Sequence, residues 1–182
     1  MNTERLPYPS PENHPPELPS ANMVRMWAHS PATLRPGMAL GTACISSLSI
    51  PVNLREILSL FCGVKFECQY IWVRHINDAK KAGVTASQID ALQNRDLQNP
   101  EAWDERDIAF LAFLDEVIDS PVARDESFLE ASKWFDERQL VEIIIAQGFY
   151  YMWARLSTTL RVTIDPEVSG DYEKVKEWAS QG

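Results

Sequence analysis

Reactive side chains gather in one stretch of this sequence. Leu54-Arg55-Glu56-Ile57 is followed, after a short gap, by Glu67-Cys68-Gln69-Tyr70-Ile71-Trp72-Val73-Arg74-His75. On a helix, Cys68, Trp72 and His75 fall at i, i+4 and i+7, so a thiol, an indole and an imidazole share one stripe while Tyr70 points elsewhere. Cys68 is expected in the first turn, where unpaired amides and the positive end of the helix dipole favour a thiolate. His75 is the histidine best placed for general acid or base work, because imidazole titrates near neutrality. The same stripe also suits a core histidine bonded to a backbone carbonyl, and both readings stay open. Glu56 shares a side of its helix with Arg55, Ser59 and Gly63, a polar seam whose pattern points a carboxylate to water. Only if that seam faces His75 across a hairpin would Glu56 orient the ring and raise its basicity.

Other chemistries lack their motifs. There is no His-Glu-x-x-His and no pair of Cys-x-x-Cys, so no metal is expected. Neither glycine-rich nucleotide fingerprint occurs, so no cofactor is expected, and a serine nucleophile elbow is also missing. What remains is chemistry that protons alone can drive.

Helical patterning must supply the positioning. Met23, Met26 and Trp27 make a short apolar face stopped by Pro31, and a helix over Leu34 to Ser47 carries Gly37 and Gly41, a spacing that lets another helix come close. The next helices run from about Asn53 to Val64 and from near Glu67 through Ala79, with Gly83 suited to the left-handed residue just past a helix end. Thr85 and Gln88 form a capping box. Asp104 or Asp107 opens a helix ended by Pro121, Asp125 to Phe135 is a shorter one, and the longest runs from Asp136 to about Val162. Its apolar residues cover more than one face, which predicts burial inside the bundle and at a subunit contact. The fold class is all-α, a compact antiparallel bundle in one domain over 22–182.

Composition agrees with a folded body and narrows the partners. The chain has 182 residues, 45% apolar and 24% charged, with a net charge of −9 that demotes nucleic acid. Three cysteines are too few for a disulfide framework, and neither a leader pattern nor an apolar run near the roughly 20 residues of a bilayer span is present, so a soluble cytoplasmic protein is expected. Residues 1–21 hold Pro7, Pro9, Pro11, Pro15, Pro16 and Pro19 and read as an arm, either a loose tail or a strap over a neighbouring subunit.

The segment from Glu56 to His75 resembles the carboxymuconolactone decarboxylase family, which includes the alkylhydroperoxidase D-like proteins, and the resemblance extends from about Asn22 to Pro166. Family members carry a Glu, a His nineteen residues later, and a Cys or Cys-x-x-Cys pair ending four residues before that His. Glu56 and His75 stand nineteen apart (75 − 56), and Cys68-Gln69-Tyr70-Ile71-Trp72-Val73-Arg74-His75 follows the Cys-x-Tyr-x-Trp-x-x-His core. Ala82 to Leu92, Trp103 to Asp107 and Gln139 to Tyr150 also fit.

The resemblance implies an oligomeric all-α protein, a homotrimer or homohexamer, with a cavity at subunit contacts. In the peroxidase branch the cysteine nearest the His is attacked by peroxide; here that position is Ile71, so a thiol-dependent hydroperoxide reductase would have to use Cys68, with Cys62 as resolving thiol. The other branch decarboxylates a lactone acid or shifts a double bond without a cofactor. For it, His75 and Glu56 are the acid–base pair, Cys68 a third candidate, and Tyr70, Trp72, Gln147, Tyr150 and Arg155 the candidate substrate contacts, Arg155 being the fork for a carboxylate. Gln69 and Ile71 hold slots where decarboxylase-like relatives often carry an acid, which suggests a less polar, aromatic or polyketide-derived substrate. A non-catalytic oligomeric binding protein is the remaining alternative.

Overall fold

A computed structural model describes residues 4–10, 12, 15 and 18–165. Among these, eight α-helices and no strands are found: α1 (Asn22–Trp27), α2 (Pro31–Ser46), α3 (Val52–Lys65), α4 (Gln69–Lys81), α5 (Ala86–Asn94), α6 (Glu105–Asp119), α7 (Asp125–Ser132) and α8 (Glu137–Leu160). The all-α expectation holds. Two compact units divide the chain, one from 1–47 with 155–182, the other from 48–154.

In the first unit, α1 packs on α2 through a glycine. A Cβ on Gly37 would overlap the Trp27 ring, so only glycine admits this approach. The Trp27 indole N–H donates to Thr33 Oγ1 at 3.0 Å. Pro31 does more than stop α1: it is the first residue of α2, where its missing N–H costs nothing, and the helix begins three residues before the expected Leu34. The described arm residues run against this unit's own elements. Arg5 N–H donates to the Leu160 carbonyl, the His29 ring is 2.8 Å from the Pro7 carbonyl oxygen, and the Arg25 guanidinium lies over the Tyr8 ring. Asp165 accepts from the Asn22 amide at 2.9 Å and so caps α1.

The second unit is organised around α3, which touches α4, α5 and α6. Leu54, Ile57, Leu58, Leu60, Phe61 and Cys62 are all fully buried, because neighbours cover α3 on nearly every side. Punctuation follows local chemistry. Gly83 has φ +89°, the Thr85–Gln88 capping box has both of its bonds, and the Asp104 side chain accepts from the Asp107 amide to open α6. The polar end of this unit is held by Glu116, which Arg124 and Ser127 bind.

Along α8, Leu140, Ile143, Ala146, Phe149, Tyr150 and Ala154 are buried, whereas Val141, Ile144, Ile145 and Tyr151 are exposed. The helix is therefore covered on one face and bare on another. No described helix is long and apolar enough to cross a membrane.

Candidate active site

The connection between α3 and α4 fixes the site. Phe66 ends α3, Glu67 takes the left-handed conformation at φ +53°, and the Cys68 amide donates to Gly63 O at 2.8 Å while the Glu67 amide reaches Val64 O at 3.2 Å. These are the two bonds of a Schellman ending, here built without glycine at the left-handed position. The chain reverses within three residues. At Gly63 an added Cβ would sit 3.2 Å from the Trp72 backbone nitrogen, so α3 and α4 approach closely there.

That hairpin turns the polar seam of α3 inward. Ser59 and Gly63 are buried, and Glu56 is only 5% exposed. The pattern pointed Glu56 to water; instead its Oε2 lies 2.9 Å from His75 Nδ1 on α4. A charge this sheltered persists only with partners, and Glu56 has two. His75 is one, and the Arg55 guanidinium, with Nε 3.8 Å from Oε1, is the other.

The far side of the imidazole meets α8. Tyr150 Oη is 3.3 Å from His75 Nε2, and the two rings stand edge to face at 5.3 Å. Phe149 packs edge-on against Tyr150, and Trp153 lies tilted against Phe149 at 5.6 Å between ring centres. With Glu56 ionised, Nδ1–H donates to the carboxylate, which leaves the Nε2 lone pair to accept from the Tyr150 hydroxyl. Tyrosine, histidine and glutamate thus form one line along which a proton can move, anchored on α8, α4 and α3.

Cys68 and Trp72 stand apart from this line. Together with Gly63 and Gln93 they border a hollow of about 340 Å³ whose lining does not include His75. Cys68 is not in the first turn but is the residue capping α4, with its side chain buried. Burial pushes the Cys62 thiol far up, which opposes a thiolate there. Tyr70 is buried, Gln147 half-buried, and Arg155 exposed in the other unit. The sequence marks Arg55 only as part of the polar seam, and its place beside Glu56 is the single clue to it. No group of three or more His, Cys, Asp or Glu among the described residues is arranged to hold a metal ion.

No protein-family model matches the sequence, and no curated protein matches it. Solved structures do. The alkylhydroperoxidase AhpD core of an uncharacterized peroxidase-related protein from Ralstonia eutropha JMP134 superposes with a TM-score of 0.74 at 17% identity, over 91% of this chain and 94% of that one. A peroxidase-related protein from Silicibacter sp. TM1040 gives 0.70 at 17% identity, over 80% and 77%. A protein of unknown function from Agrobacterium tumefaciens, described as a candidate antioxidant defence protein AhpD, gives 0.69 at 22% identity, over 78% and 96%. At such identities the likeness is one of fold: the chain has the all-helical fold of the AhpD core.

Proposed function

We propose that this protein is a cofactor-free acid–base enzyme, a lyase or isomerase acting on a small carboxylated lactone or other enolisable compound, of aromatic or polyketide origin. The supporting observation is the unbroken line Glu56–His75–Tyr150, with its buried carboxylate. In a double-bond shift, the Tyr150 oxygen takes the proton from the carbon beside a carbonyl as its own proton passes to His75 Nε2. Glu56 holds the resulting imidazolium, and the electron pair moves into the carbonyl as an enolate. Return of the proton to a different carbon completes the shift. In a decarboxylation, the C–CO₂ bond breaks, the same enolate forms, Tyr150 supplies the proton to carbon, and a proton taken up from water through His75 Nε2 restores the Tyr150 hydroxyl.

The enzyme is proposed to work in the cytoplasm as a homotrimer or homohexamer, with the bare face of α8 as its contact. Solvent-deuterium uptake into muconolactone, followed by NMR, tests the chemistry. Uptake above the uncatalysed rate that disappears in His75→Ala is expected, and uptake at the wild-type rate in that variant would sink it.

A second reading is a thiol-dependent hydroperoxide reductase. It is favoured by the peroxidase-related names of the structural neighbours and by the place of Cys68 at a helix start. There the Cys68 thiolate would attack the O–O bond, become a sulfenic acid and release an alcohol, and an external dithiol would reduce it back. Against it stand Ile71 at the position of the attacked cysteine and the high-lying Cys62 thiol. Peroxide consumption with dithiol, lost in Cys68→Ser, would decide for this reading.

A further inference from the structure

We infer that Arg55 is the carboxylate-binding group of this site, and that it holds a carboxylate which stays on the substrate rather than the one that could leave. The inference rests on the acid–base reading above and adds the substrate's charge to it.

Arg55 differs from several cations of its unit. Lys65, Arg106, Arg124 and Arg138 each hydrogen-bond a carboxylate. The Arg55 side chain is 15% exposed, yet its Nε is 3.8 Å from Glu56 Oε1, too far for a hydrogen bond, and this buried atom has no hydrogen-bond partner among the described residues. A buried donor left unmade loses its hydration with nothing in return, and guanidinium is charged at every working pH. A pure counter-ion for Glu56 would be expected to fork onto it with two short bonds. Arg55 instead leaves its Nε donor unmade beside a pair that already holds His75.

Chemistry identifies what would fill the gap. The chain carries 26 acidic against 17 basic residues, so an anion meets a repulsive average field and needs a local cation to dock. A planar carboxylate matches the guanidinium fork. Glu56 is flanked by Arg55 on Oε1 and by His75 on Oε2, so an anion held by Arg55 would lie beside the acid–base line. Losing CO₂ disperses the negative charge of the departing carboxylate, so an ion pair to that group would weaken in the transition state and raise the barrier. A spectator carboxylate suffers no such loss. The substrate class that fits is therefore an enolisable acid that keeps its carboxylate at Arg55 while a proton moves elsewhere.

Benzoate and benzamide, alike in shape and different in charge, serve as probes of the full chain, with affinity from calorimetry and the His75 ring resonances from NMR. Benzoate is expected to bind at least tenfold tighter than benzamide and to shift the His75 signals, and Arg55→Gln is expected to erase that preference without weakening benzamide. Should Arg55→Gln fail to fold, Arg55→Lys, which keeps charge but not the fork, is expected to reduce the preference. The proposal falls if wild-type protein does not prefer benzoate, or if the preference survives undiminished in the folded variant. Its failure is separable from that of the acid–base reading: benzoate preference intact with no deuterium uptake into muconolactone leaves the carboxylate site and removes the chemistry.

Discussion

Glu56 Oε2 and His75 Nδ1 are 2.9 Å apart across the α3–α4 hairpin, with the carboxylate almost wholly buried. If that contact sets the tautomer and steadies the imidazolium, Glu56→Gln keeps the shape and loses the charge, and should lower deuterium uptake on the order of 10²-fold. His75→Ala should do at least as much. Circular dichroism of both variants should remain that of a folded all-α protein.

Tyr150→Phe isolates the outer end of the line. The ring contacts with His75 and Phe149 survive the change, and the hydroxyl at 3.3 Å from Nε2 is removed. A net hydrogen bond of about 1 kcal/mol predicts a fall in melting temperature of only a few degrees. Proton transfer should fall by roughly 10–10²-fold. Uptake at the wild-type rate would leave Nε2 itself as the group that meets the substrate.

How far these contacts could be read from letters depends on whether they are local. The Thr85–Gln88 box, the positive φ of Gly83 and the Asp104 cap are decided within four residues, and all are present. The direction of Glu56 is decided by how α3 is rotated against α4, and its polar neighbours Arg55, Ser59 and Gly63 mimic a solvated face. Close approach at Gly63 turns that face inward instead. For the same reason the Cys68–Trp72–His75 stripe was real as spacing and misleading as environment, since Cys68 and Trp72 border one hollow and His75 another set of partners.

The connection itself offers a stability test. Glu67 holds φ +53°, where a side chain costs about 1 kcal/mol relative to glycine. Glu67→Gly should therefore raise stability by up to about 1 kcal/mol. Gly63→Val should do the opposite, by roughly 1–3 kcal/mol, because its Cβ begins 3.2 Å from backbone that cannot swing away. Urea midpoints measure both, and a destabilised Glu67→Gly would contradict the turn geometry.

Acid stability should depend on Glu116. Bonds from Arg124 and Ser127 hold its carboxyl down to about 2, below the usual 4.5. A carboxyl depressed in the folded state binds its proton more readily when unfolded, so its contribution is complete above 4.5 and disappears as pH falls towards 2. The stability gap between wild type and Glu116→Gln should be flat at neutral pH and close across that interval. A gap that persists unchanged at the lowest pH would assign the effect to packing.

The bare face of α8 carries the proposed assembly. Val141, Ile144, Ile145 and Tyr151 recur at helical spacing and are each close to half exposed. Apolar rows of this kind on a surface helix gain by being covered, at roughly 25 cal/mol for each Å² removed from water. Ile144→Asp with Ile145→Asp places two carboxylates in that row while leaving the buried Leu140, Ile143 and Tyr150 face untouched. Sedimentation equilibrium should give a trimer or hexamer for wild type and a folded monomer for the double variant. A wild-type monomer would remove the assembly from the proposal, and an unchanged oligomer in the double variant would move the contact to another face.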